Sequence, residues 1–148
     1  MREINFRGRR VDNGLWVYGY FMKTPITTEF NCNGQFLDSG ENGRYCIVQD
    51  NVAHEIDIKT LGEFTGLKDI NGKDIYEDDV CECVGGESAQ GVHEFQEIGK
   101  VVFKDGCFGI ENEKDDVFLP FFYLIEHGFE IFNCGSIYEN PELLEAEE

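Results

Sequence analysis

The sequence predicts a mainly β protein, a β-rich α+β chain of successive hairpins, on three observations. Thirteen Phe, six Tyr and one Trp among 148 residues favour strands over long helices. Seventeen Gly against three Pro favour tight turns between them. Asn-Gly at 13–14, 33–34, 42–43 and 71–72, with Asp105-Gly106, supplies residues that tolerate the positive φ of a type I′ hairpin turn.

From the N-terminus, "INFRGRRV" and "LWVYGYF" read as strands joined at "DNG". In the second, Leu15, Val17 and Phe21 alternate with Trp16, Tyr18 and Tyr20, so both faces are apolar and call for cover on both sides or a partner. "TTEF" and "QFLD" form the next hairpin, and "RYCIVQ" a further strand. In "DIKTLGEF", Asp57 is placed to cap a short helical turn ahead of Thr60 and Leu61. These elements make a hairpin-rich N-terminal portion, residues 1–60.

Residues 61–148 read as a small SH3-like, barrel-like β portion with short helices. "DVCECV" is a strand, "KVVF" and "CFGI" make a hairpin about Asp105-Gly106, and "FEIFNCGSIY" adds further strand. In "VFLPFFYLIEHG", Pro120 can open a short helix and Gly128 close it. "GGESAQGVHEFQE" is the longest irregular segment. At the end, Asn140 precedes Pro141 as a helix cap, and Leu143 and Leu144 form a docking face. No repeat of solenoid length is present.

Thirty acidic against twelve basic residues give a formal charge of −18, which repels phosphate backbones and anionic lipid and attracts cations and basic proteins. Direct nucleic-acid or membrane binding is therefore not expected. Arg2, Arg7, Arg9 and Arg10 crowd the start, and Glu139, Glu142, Glu145, Glu147 and Glu148 the end; solvated termini explain this better than pairing between subunits. Without a leader or an apolar membrane-length run, the expected location is the cytoplasm of whichever cell makes the protein. The six cysteines are dispersed through strands and read as reduced thiols.

"GLKDINGKDIYEDDV" fails as a phosphate loop. Five residues separate Gly66 from Gly72, and Lys73 is followed by Asp74, which would repel phosphate where a magnesium-binding hydroxyl belongs. Asn71-Gly72 is a turn instead. "HEFQE" offers His93 and Glu94 but ends in Glu97, and "HEIDI" offers only His54 and Glu55, so neither makes a zinc-protease motif. Cys81 and Cys83 share one strand face with no second cysteine pair, the pattern of buried thiols rather than a metal centre. Ser88 lacks the glycine-flanked nucleophile elbow. Glu77 to Asp79 is the densest acid cluster before a strand, and a solvated turn accounts for it without a cation.

"REINFRGRRVDNGLWVYGYF", "TLGEFTGLKDINGKDIYEDDV", "GKVVFKDGCFGI" and "GSIYENPELL" together, in order over nearly the whole chain, resemble the YopX family of phage and prophage proteins. The resemblance implies a β-rich protein with a barrel-like C-terminal part, encoded by a phage or a phage remnant and so placed in the cytoplasm of a bacterial host cell, and it points to no particular activity. It usually has Gly where Asp78 stands here, and a hydrophobic residue then Gly-Asn at Cys134, Gly135 and Ser136; an aspartate can hold a left-handed turn position. Within "IYEDDV", Tyr76 and Asp79 are the candidate interaction or turn residues, the ring packed in the core and the carboxylate accepting from a turn backbone.

No catalytic, cofactor or metal site is assigned. The expected function is a non-enzymatic accessory module that binds a host or phage protein and forms a homo-oligomer. The alternatives are a metal-dependent hydrolase or nuclease using Glu77 to Asp79 with a histidine such as His93, and an acidic mimic of DNA.

Overall fold

A computed structural model describes residues 4–24, 44–88 and 91–145, the side chains at 24 and 86–94 excepted. The expected hairpin at 27–38, the Asn-Gly pairs at 33–34 and 42–43, and Cys32 lie outside the described residues. The protein is mainly β, with two antiparallel five-stranded sheets and two short helices among the described residues. Two compact units divide it, residues 3–63 and the unit containing residues 64–148.

In the first unit, β1 (Phe6–Arg10), β2 (Trp16–Thr24), β3 (Arg44–Gln49) and the first part of β4 (Val52–Lys68) pair in order. β1 also pairs with β4, with Phe6 opposite Glu63 and Arg10 opposite Ile56, so the hydrogen-bonded ring closes here rather than in the C-terminal portion. Val17, Ile47 and Ile56 fill its core, with Phe6, Phe21, Tyr45 and Leu61 packed around them.

The helical turn expected at Asp57 is strand instead, and the reason is visible in the pairing. Arg7 faces Gly62 while Arg9 faces Asp57, so β4 bulges outward between two stretches that both pair with β1. Asp57 does act as a turn residue there: its carboxylate accepts from Lys59 N at 3.0 Å, and the Thr60 hydroxyl donates to Asp57 O at 2.6 Å. Arg9 N donates in turn to Thr60 Oγ1 at 2.8 Å. The local signal was a bulge inside a ladder.

The turns also differ in detail. Only Gly14 and Gly72 of their Asn-Gly pairs have positive φ, so neither pair makes a type I′ turn. Asp105-Gly106 does, with φ of 53° and 85°, and so does Asp50-Asn51, at 53° and 66° between Gln49 and Val52.

In the second unit, β5 (Asp74–Tyr76) pairs with the end of β4. The other sheet has the order β10-β6-β7-β8-β9, from β6 (Asp79–Ser88), β7 (Gly91–Lys104), β8 (Cys107–Asn112), β9 (Val117–Pro120) and β10 (Glu130–Ser136). The described residues of the segment expected to be irregular, 85–88 and 91–97, are strand, with Gly85 opposite Phe95 and Ser88 opposite Gly91. Ile75, Cys81, Cys83, Val101, Ile110, Phe121, Leu124 and Ile131 form the core.

Helix α1 (Phe121–Glu126) begins directly after Pro120, and Gly128, at φ 79°, follows its end, as the sequence requires. Phe121 and Leu124 anchor it in the core. Helix α2 (Glu142–Glu145) follows Asn140 and Pro141, with Leu143 and Leu144 half-buried. Among the described residues no helix is long and apolar enough to cross a membrane.

Candidate functional site

The segment from Gly66 to Val80 folds into two consecutive turns, each organised by one aspartate. Asp69 Oδ1 accepts from Asn71 N at 2.9 Å and Lys73 N at 2.8 Å, while Asp69 N donates to Lys73 O at 2.7 Å. Asp79 Oδ2 accepts from Tyr76 N at 2.8 Å across the second turn, where Asp78 holds φ 69°. An aspartate can close a turn this way because its side-chain oxygen substitutes for a backbone carbonyl.

Asn133 of β10 joins the two turns. Its backbone N donates to Asp69 Oδ2 at 2.9 Å, and its Nδ2 donates to Asp79 Oδ2 at 2.8 Å and to Asp74 O at 3.0 Å. Its Oδ1 accepts from Gly135 N at 3.1 Å, across the bulge at Cys134. Neighbouring bonds extend the brace: Asp78 N donates to Val101 O, Ile137 N to Asp78 O, and the Tyr138 hydroxyl to Asp78 Oδ2, each at 2.9 Å. Gly135, at φ 144°, holds a backbone conformation that other residues rarely adopt, and a Cβ there would displace the Asn140 carboxamide.

Tyr76 and Asp79 are thus brought together and buried, at 3% and 2% exposure, with the Tyr76 ring 5.3 Å from that of Phe64. The solvated turn expected around Asp79 is an internal one. Burial by itself would raise the Asp69 carboxyl, but the N–H groups of Asn133, Lys73 and Asn71, with the Lys73 charge, hold it below its ordinary value. Asp69 and Asn133 escaped notice in the sequence. The signal for Asp69 was an aspartate two residues before Asn-Gly, whereas Asn133, distant in sequence, had none.

Cys81 and Cys83 are fully buried on the core side of β6. Desolvation raises the Cys83 thiol to about 11 and that of Cys81 further, so neither supplies a thiolate near neutral pH. Cys46, Cys81, Cys83, Cys107 and Cys134 are free thiols, Cys134 exposed. Among the described residues, no three His, Cys, Asp or Glu side chains gather as metal ligands. The side chains of Ser88 and His93 lie outside the described residues.

The surface offers a second kind of feature. On the outer side of the ring, Tyr18, Tyr20 and Met22 of β2 stand 40%, 74% and 40% exposed, whereas Val17 and Phe21 point to the core. On the same outer side, Arg7 lies over the Trp16 ring at 4.3 Å and Arg9 at 5.2 Å. Leu15, expected to share the face of Val17 and Phe21, is 63% exposed.

Residues 5–145 match the YopX protein family. The chain belongs to the YopX family. In this YopX chain the stretch "TLGEFTGLKDINGKDIYEDDV" is the end of β4 with the two aspartate turns, and Asp78 occupies the left-handed position where the resemblance placed a glycine. The YopX chain is also similar to a solved structure, that of protein EF1440 from Enterococcus faecalis, at 21% identity over 97% of this chain and 99% of that one, with a TM-score of 0.48. No curated protein matches it.

Proposed function

We propose that this YopX-family protein is a non-enzymatic interaction module, a phage or prophage accessory protein that binds a host or phage protein in the bacterial cytoplasm. The observation that carries the reading is the outer face of β2, where Tyr18, Tyr20 and Met22 alternate into solvent. Exposed aromatic residues on a rigid strand are economical contact groups, burying much area at little conformational cost. Homo-oligomer formation through the same face belongs to this proposal.

The acid cluster supports the non-enzymatic side. A metal-dependent hydrolase needs carboxylates converging on open space, whereas Asp78 accepts from Tyr138 and Asp79 from Tyr76 and Asn133. A DNA-mimic reading draws on one observation: residues 64–148 hold 21 acidic and five basic residues, net −16, against nine and six, net −3, in residues 3–63.

The test is a tagged pull-down from bacterial host lysate with the native chain beside a Tyr18→Ser/Tyr20→Ser variant. At least one enriched protein should disappear with the variant while its melting temperature is unchanged. Identical profiles for the two proteins would sink the reading, and displacement of the captured protein by duplex DNA would favour mimicry.

A further inference from the structure

A different surface stands out on the second unit. Helix α1 is "FFYLIE", with no charged side chain before its last residue. Two of its residues, Phe121 at 2% and Leu124 at 0%, account for its attachment to the core. The rest of its apolar surface faces water: Phe122 is 65% exposed, Ile125 52% and Tyr123 44%. Phe122 and Ile125 are three residues apart and so neighbours on one helix face, and Tyr123 lies with its ring 4.3 Å from that of His127. Bulky apolar side chains exposed together on a short, well-anchored element mark a contact site.

Charge selects the occupant. Exposed Glu126 and Glu130 flank the patch at the end of the helix and the start of β10. No arginine follows Arg44, and of the five lysines in residues 64–148, Lys68 is paired with Asp74 and Lys104 with Glu111. A second copy offering the same face would set two units of net −16 against each other, which like-charge repulsion opposes. A partner bearing Lys or Arg beside bulky apolar side chains meets both the patch and its rim.

We propose that the outward face of α1, formed by Phe122 and Ile125 with Tyr123 at its side, docks a cationic amphipathic segment of another protein. The proposal rests on the interaction reading but on another surface, so the two can fail separately.

The test begins with a random peptide library displayed on phage and panned against the full chain. A synthetic copy of the dominant peptide is then titrated into the isotope-labelled protein. Selected peptides should combine Lys or Arg with large apolar residues and should shift the amides of residues 121–130. Binding should weaken at least ~10-fold in Phe122→Ser/Ile125→Ser, the scale of losing a central contact pair. It should weaken severalfold in Glu126→Lys/Glu130→Lys, with the sheet amides of both variants in their native positions.

Selected peptides without basic residues would overturn the proposal, as would shifts spread over the acidic surface and insensitive to the Phe122→Ser/Ile125→Ser change. Self-association abolished by that same variant would place a second copy on α1 instead of a basic partner. Peptides that bind only at Tyr18 and Tyr20 would reject the α1 site and leave the interaction reading intact, whereas a library yielding no binder would count against both.

Discussion

Asp69 accepts three backbone N–H groups, from Asn71, Lys73 and Asn133, and its carboxyl is held below the ordinary value of 3.8 despite burial. Because the folded value is the lower one, its contribution to stability is complete above the unfolded value and is lost as pH falls through the folded value. Asp69→Asn should cost about 2 kcal/mol near neutral pH, since buried donors lose a charged acceptor. The gap from the native chain should then narrow as pH drops below 3.8 toward the lowered value. Urea unfolding of both proteins across that range measures it, and a gap independent of pH would show that the carboxylate charge is not what braces the turn.

Helix α1 has two faces with opposite duties, and substitutions of the same type should separate them. Phe121→Ala should cost about 3–5 kcal/mol, as expected for a large side chain removed from a packed core. Phe122→Ala, one position on, should change stability by less than about 0.5 kcal/mol. Thermal or urea melts of the two variants decide this, and equal losses would contradict the assigned orientation. The ends of α1 were legible because Pro120 and Gly128 act locally. The strands β1, β2, β3, β8 and β10 were likewise readable from alternation and composition, as were β6 up to Val84 and β7 from Lys100. β4 was not, because Asp57 and Thr60 do form a local turn, and only pairing with β1 on both sides makes the segment strand. The Asp50-Asn51 turn was missed because neither residue is glycine, although both adopt positive φ. The candidate site was half legible: Asp79 sits beside Tyr76 in sequence, whereas Asn133 meets it only through sheet register.

Across the whole molecule, burial ranks the thiols. Cys134 is exposed and Cys107 half-buried, while Cys46, Cys81 and Cys83 are enclosed. In a Cys32→Ser background, a disulfide reagent at neutral pH should modify Cys134 first and Cys107 next. Cys134 should nevertheless react more slowly than an ordinary thiol, since desolvation raises it. The other three should react only on unfolding, and rapid labelling of Cys81 in the native state would contradict the enclosed core. The ring seam carries a consequence of another kind, for synthesis. β1 leaves the ribosome well before β4, yet its pairing with β4 reaches from Phe6 to Glu63. Until residues 56–63 emerge, one edge of β1 lacks its β4 partner, and such an edge is open to wrong partners. Late pairing on either side of the bulge then closes it, so a nascent chain stalled shortly before Ile56 is a form of this protein in need of a chaperone.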